Sequence, residues 1–393
     1  MMRTVAATLL LLLSATAAVR VGDASGWSPD APHVDHTVPE LQSWDAFKAT
    51  FSKRYVDRSD EEKRRRAFEQ NVQIIRELNA KHDAGEHSFR CGVNHLSDLS
   101  FAEFRRRYLG SRKEMAEVAE WHSALPAANA TAAAPPAAVD WQAKGAVGPV
   151  KNQGACGGCW AFSTTGATEG AYQIATGALR SLSEQQLIDC STSLGNMGCK
   201  GGSMRMAFDY IKTNKGIDSE DDYPFTAANG ECWKTAEKRV VAKIDSFSAV
   251  TTGSEASLVA ATALGPVSVA IEADQPAFQH YKSGVFDAPC GTKLDHGVLV
   301  VGYDADTYTV KNSWGATWGE KGFIRMKRAV NKTGICGISQ QASYPTVAKG
   351  TPVPVPPKTP PHTRPALPCN CTAACTHTCS AFGMTCCGNG IDW

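Results

Sequence analysis

The placement of cysteine constrains this chain more than any other feature. Fourteen cysteines fall into three unequal groups: one at Cys91, seven between Cys156 and Cys336, and six crowded between Cys369 and Cys387. The N-terminus sets the redox conditions under which they fold. Arg3 precedes an apolar run over residues 5–13, too short to span a bilayer, and small residues follow at Ala15, Ala17 and Ala18. This is the pattern of a secretory signal cleaved near Ala17, so disulfides are expected. Seven is odd, so bridging within the middle group leaves one thiol over. The stretch QGACGGCWAFS, residues 153–163, raises the question of which one, because it holds Cys156 and Cys159 three apart. Such a pair serves as a redox couple, as half a zinc site, or as a structural cysteine beside a nucleophile.

The rest of the chain supplies the context. Hydrophobic residues at 43% and charged residues at 20% fit a globular protein with a core, and a net charge of +1 gives no reason to expect a nucleic-acid partner. The basic run KRRR, residues 63–66, reads as a solvated helix face, and no later apolar run is long enough for a membrane span. Residues 41–110 read as helical and charged. Ser59 is the expected N-cap of a helix with an apolar stripe at Phe68, Val72, Ile75 and Leu78. A short strand at 88–94 and a second helix ending at Gly110 follow, then an Ala/Pro-rich linker at 124–138. Residues 139–345 form the main body, helical at first and strand-rich after about Lys238. This order predicts an α+β fold of two subdomains with a cleft between them. A proline-rich spacer and a miniature cysteine-rich module close the chain.

A thiol attacks as thiolate, and a helix N-terminus favours that form. The predicted helix begins at Cys159, whereas Cys156 lies before it. A base is available 137 residues downstream, where His296 starts the apolar strand in LDHGVLVVGY. VKNSWG then brings Asn312, able to fix the imidazole tautomer, and Trp314, able to shield that bond.

With these motifs the chain resembles the papain family and, within it, the cathepsin L-like cysteine proteases. NQGACGGCWAFS, SLSEQQLIDC, CKGGSM, GPVSVAI, DHGVLVVGY, KNSWGATWGEKGF and GICGISQQASYP carry the resemblance. It implies a papain-like α+β fold with Cys159 as nucleophile, His296 as base and later acid, and Asn312 as the group that orients it. The Gln153 amide and the Cys159 N–H would form the oxyanion hole. Substrate would meet Gly201, Gly202, Asp295 and Trp318, with Trp314 covering the His–Asn bond. Met204, Ala270, Leu294, Gly297 and Gln341 would line the pocket for the second residue before the scissile bond, which is expected to prefer a hydrophobic side chain. The resemblance also implies the bridges Cys156–Cys199, Cys190–Cys232 and Cys290–Cys336, which leave Cys159 as the one unpaired cysteine of the body. Gly158 departs from the Ser or Ala usual in the family.

The N-terminal segment resembles the family's inhibitory propeptide. Arg64, Phe68, Asn71, Ile75 and Asn79 match its helix motif, with Asp60 in place of a leading glutamate. Gly92, Asn94, Leu96 and Asp98 match its second motif. The implied layout is a signal over 1–17, a propeptide over 18–134, a peptidase domain over 135–346, a linker over 347–368 and a cysteine-rich module over 369–393. The last is either related to the granulin-like extensions of some plant relatives or a disulfide-stapled appendage without a catalytic role. Protein and peptide substrates, the propeptide itself and cystatin-like inhibitors are the expected partners of a monomer that needs neither metal nor cofactor. Sequons at Asn129, Asn331 and Asn370 suit a secretory route to a lysosome- or vacuole-like compartment or to the exterior. Two other readings are a thiol–disulfide oxidoreductase using Cys156 and Cys159, and a non-catalytic binding protein of the same fold. The first lacks a strand just before CGGC, and the second would require loss of Cys159, His296, Asn312 or Gln153.

Overall fold

The computed structural model describes residues 43–110 and 134–356. The N-terminal segment opens with α1 (Trp44–Thr50) and the long helix α2 (Arg58–Asp83). The cap of α2 is Asp57 rather than Ser59, and its carboxylate accepts the Asp60 N–H at 2.8 Å. Aspartate caps as well as serine, and its charge also suits the positive helix end. The stripe of α2 buries Phe68, Val72 and Ile75, and Phe68 packs on Phe47 of α1 with ring centroids 4.7 Å apart. Two buried asparagines on this helix fold the following segment back on it. Asn71 donates to the carbonyls of Ser97 and Leu99, and Asn79 exchanges hydrogen bonds with both backbone groups of Cys91. Helix α3 (Phe101–Tyr108) starts from a reciprocal capping box between Ser100 and Glu103.

The body holds the helices α4 (Cys159–Thr176), α5 (Glu184–Cys190), α6 (Met204–Thr213) and α7 (Glu255–Thr262), with a few single turns between them. Its strands, with one from the N-terminal segment, are β1 (Phe89–Cys91), β2 (Val139–Asp140), β3 (Ser246–Ala249), β4 (Val267–Ile271), β5 (Tyr281–Phe286), β6 (His296–Tyr303), β7 (Thr307–Lys311), β8 (Phe323–Lys327) and β9 (Ala342–Thr346). They form one sheet in the order β1-β5-β8-β7-β6-β4-β9-β3, with β2 also on β6. Neighbours are antiparallel except β5 and β8.

Two apolar clusters divide the body as the α+β reading expects. One is centred on the sheet and Trp314, the other on Trp160, Phe208 and the helices. They meet where α4 lies on β6. A Cβ at Gly166 would stand 2.7 Å from Leu299, so glycine permits this close approach. Ser163 donates to the Val298 carbonyl at 2.7 Å, and Ser268 donates back to the Ser163 carbonyl at 2.8 Å. The bridges Cys156–Cys199, Cys190–Cys232 and Cys290–Cys336 are all present, and Cys91 and Cys159 are the free thiols among the described residues.

Two features add to the sequence reading. Strand β1 extends the sheet of the body, with Phe89 paired to Gly284, so the N-terminal segment is stitched to the domain it precedes. The first part of the proline-rich stretch, placed in a linker over 347–368, runs along the body as far as Pro356.

Candidate active site

Cys159 is the first residue of α4, after an N-cap, Gly158, that offers no side chain to the helix end. Gly158 has an ordinary φ of −88°. A Cβ there would lie 3.1 Å from Ile188 and 3.3 Å from the Cys156 sulfur, a tight fit rather than a forbidden one. The sulfur of Cys159 accepts the backbone N–H groups of Gly297 and Trp160, which ties the helix start to β6.

His296 opens β6, and its Nε2 lies 2.8 Å from Oδ1 of Asn312, just past β7. The tautomer follows from the partners. Asn312 Oδ1 also takes the Ser313 N–H at 2.8 Å, so this atom is the amide oxygen and His296 Nε2 must donate to it. The neutral ring then has its lone pair on Nδ1, the base position, which has no partner among the described residues. Trp314 stacks on the ring at 4.7 Å and covers the pair.

Gln153 is oriented by the same logic. Its Oε1 accepts the Ser313 hydroxyl at 2.6 Å, so its Nε2 is a donor, directed to the carbonyls of Cys156 at 2.9 Å and Tyr108 at 3.1 Å. Tyr108 belongs to the N-terminal segment. Two residues on, the Gly110 N–H donates to the Asp295 carbonyl at 2.6 Å, while Phe104 and Tyr108 set their rings edge-on to Trp314. The segment therefore lies across the cleft and contacts the groups named for substrate. Cys159 and His296 are almost wholly buried. Burial pushes the Cys159 thiol up to about 11 against those two N–H groups, and pushes His296 down to about 4 against its bond to Asn312. In this state the two groups are a neutral thiol and a neutral imidazole.

The predicted pocket residues converge. Ala270 pairs with Gly297 across β4 and β6, the Ala270 N–H donates to the Gln341 carbonyl at 2.9 Å, and Met204, Ala270 and Leu294 share one apolar cluster. The two glycines expected to offer backbone to substrate differ. Gly201 has its N–H on the Gly198 carbonyl and its carbonyl on the Met197 N–H, whereas Gly202 makes no backbone hydrogen bond to any described residue. Trp318 is fully buried, with its indole N–H on the Phe278 and Gln279 carbonyls, so it supports Trp314 from behind. A cavity of about 20 Å³ that adjoins the site, lined among others by Lys151, Glu184, Gly297, Lys311, Asn312 and Ser313, is too small for a substrate.

The family model described as papain family cysteine protease matches residues 135–346. The chain belongs to the papain family. The cathepsin propeptide inhibitor domain (I29) matches residues 44–104. The protein is thus a cysteine protease zymogen whose own propeptide occupies the cleft. Cysteine protease XCP2 of Arabidopsis thaliana is 44% identical, over 82% of this chain and 90% of that one. Digestive cysteine proteinase 3 of Homarus americanus is 45% identical, over 78% and 94%. Among solved structures, a recombinant stem bromelain precursor superposes with a TM-score of 0.70 at 37% identity, covering 79% of this chain and 99% of that one.

Sequence reasoning missed Ser313, which orients both Gln153 and Asn312. It stands inside the quoted KNSWG motif, where its place next to Asn312 was the available signal for that residue, but nothing local pointed to Gln153. It also missed the plug of Tyr108, Leu109 and Gly110, and the propeptide groups His95 and Glu103. Of the sequons, Asn331 lies in an exposed loop, where its Oδ1 accepts the Thr333 hydroxyl at 2.7 Å, while Asn129 and Asn370 lie outside the described residues.

Proposed function

We propose that this zymogen matures to an endopeptidase that cuts through a thioester on Cys159. His296 Nδ1 takes the thiol proton, and the sulfur bonds to the scissile carbonyl carbon. The same proton then passes to the departing amine. Water, deprotonated by His296, releases the acid and restores the thiol. The second Nε2–H of Gln153, which the propeptide's Tyr108 carbonyl accepts in the zymogen, would donate to the oxyanion together with the Cys159 N–H. The observation that carries this reading is the fixed tautomer of His296, which leaves Nδ1 as the base nitrogen, on a strand whose next residue, Gly297, packs against the Cys159 and Trp160 backbone at the helix start. Replacing Gln153 by Ala is expected to lower kcat about 10²–10³-fold, the range for one lost oxyanion donor, with little change in KM. An unchanged kcat would remove Gln153 from the mechanism.

Substrate choice should follow the pocket of Met204, Ala270, Leu294, Gly297 and Gln341. Burying a Leu, Val or Phe there is worth roughly 1.5–3 kcal/mol. Gln341 offers amide hydrogen bonds without the charge assistance an acid would give to arginine. Phe-Arg and Leu-Arg peptides are therefore expected to be cut after the arginine with kcat/KM roughly tenfold or more above Arg-Arg peptides. Gln341→Glu should narrow that gap, and Arg-Arg matching Phe-Arg in the parent would show the pocket to be misread.

The boundaries at 17, 134, 346 and 368, a secretory route ending in a lysosome- or vacuole-like compartment or outside the cell, a monomeric state, inhibition by cystatin-like proteins and glycosylation at Asn129, Asn331 and Asn370 complete the proposal. Three disulfides support the oxidising route, and among the described residues no helix is long and apolar enough to cross a membrane.

A further inference from the structure

The segment after β9 is built like a bound ligand. The Gly350 N–H donates to the carbonyl of Ala175 at 3.3 Å, in the last turn of α4, where helix carbonyls lack partners. The Val353 N–H donates to the Tyr172 hydroxyl at 2.6 Å, and the Val353 carbonyl accepts from Arg180 Nη2 at 3.3 Å. The Pro356 carbonyl accepts from Arg239 Nη2 at 3.5 Å, and the same arginine is buried in ion pairs with Asp218 and Asp222. Upstream, the Ala348 N–H reaches Asp245 Oδ2 at 2.6 Å.

The docked positions 350, 353 and 356 are three residues apart. A polyproline-II helix has three residues per turn, so these backbone groups lie on one face. The sequence GTPVPVPP favours that conformation before any contact is made, which lowers the entropy lost on docking. Pro352, Val353 and Pro356 are half-buried, with Val353 packed on the apolar cluster of the helices, while Gly350, Thr351, Pro354 and Val355 face solvent. A tyrosine hydroxyl and two arginines converging on the carbonyls and amide of such a segment form a recognition groove.

We infer that the helical lobe carries a binding groove for a polyproline-II segment, and that residues 350–356 are its resident occupant. The groove fastens the peptidase to its own C-terminal extension at the end of α4. It also shields residues 350–356 from cleavage. A protease needs an extended, freely accessible chain, and residues 350–356 present that only after undocking.

The two lysines that flank the segment supply the test. Full-length Cys159→Ala protein, which cannot digest itself, is treated with trypsin under native conditions and the C-terminal fragments are weighed. The Lys358–Thr359 bond should be cut at least about tenfold faster than the Lys349–Gly350 bond, whereas the denatured chain should be cut at similar rates at both. Tyr172→Phe removes the hydroxyl that holds Val353 and should speed the cut after Lys349 by about 3–10-fold, the equivalent of one net hydrogen bond. Arg180→Ala should do the same through the Val353 carbonyl, and serves as the second variant if Tyr172→Phe lowers the melting temperature of the whole domain. Native cleavage after Lys349 as fast as after Lys358, or both variants melting normally without faster cutting, would overturn the proposal.

Discussion

Full-length protein carrying Cys159→Ala should fold, trim no propeptide and hydrolyse no peptide, with a loss on the order of 10⁴-fold or more against the mature parent. Cys156→Ala should do the reverse. It removes the bridge to Cys199, and a lost native bridge costs about 2–5 kcal/mol of stability. It leaves the thiol at the head of α4 with its N–H partners and its imidazole. The two cysteines three apart in QGACGGCWAFS therefore separate cleanly by readout, one by activity and the other by melting temperature. Labelling sharpens the contrast. In the zymogen both free thiols among the described residues are buried, and burial pushes Cys91 far above the ordinary thiol value and Cys159 up to about 11. A substrate-like electrophile should therefore react slowly with the precursor and quickly, at Cys159 alone, once the propeptide has gone. A label found on Cys156 of the parent would reassign the nucleophile.

How much of this was legible in the sequence depends on the range of each interaction. Cys159, His296 and Asn312 each sit in a short motif whose local structure places the side chain, a helix start or a strand end, so the set could be assembled without coordinates. The direction of the Gln153 amide could not, because it is set by Ser313, 160 residues away. Strand β5, YKSGVF, carries a lysine and a glycine and has no alternating pattern. Its place in the sheet comes from β8 and from Phe89 of the propeptide, and neither is visible from its own composition. The proline-rich segment shows the same division. Its extended conformation follows from composition, whereas its docking depends on Tyr172, Arg180 and Arg239, which lie far upstream. The helix cap moved from Ser59 to Asp57 because both residues satisfy the same local rule and only packing of the stripe chooses between them.

Acidification should unlock the zymogen in two stages, set by two propeptide groups. Asp98 of the second propeptide motif is buried against Lys53 at 2.9 Å and Tyr55 at 3.0 Å and anchors the segment around these groups. The two groups are His95 and Glu103. His95 meets the body through Thr317, 2.9 Å from its Nδ1. Burial first, and the Lys53 charge second, push its pKa from 6.5 down to about 4. The docked state favours the neutral ring, and the released chain takes up a proton more readily. The contribution of His95 is thus complete above about 6.5 and is lost as pH falls toward 4. Glu103 titrates lower. Burial alone would raise it, but the Lys63 amine at 2.7 Å, Arg64 at 3.1 Å and the Ser100 hydroxyl and N–H hold it at about 2, against an ordinary 4.5. Its contribution is complete above about 4.5 and disappears as pH falls toward 2. Each group weakens the propeptide's hold by up to about 1.4 kcal/mol, tenfold, per pH unit inside its window. Through His95 alone, the rate at which activity appears should rise about 40-fold between pH 6.5 and 4.5, and Glu103 should steepen the rise below that. His95→Gln, which keeps a hydrogen bond but cannot charge, should flatten the upper stage. Glu103→Gln leaves Lys63 and Arg64 without their carboxylate, so its precursor should leak activity near neutrality and lose the lower stage. The measurement is the onset of Phe-Arg hydrolysis by purified precursor across this range. A parent precursor as active at pH 7 as the trimmed enzyme, or two variants with the parent's full profile, would show that neither group holds the lock.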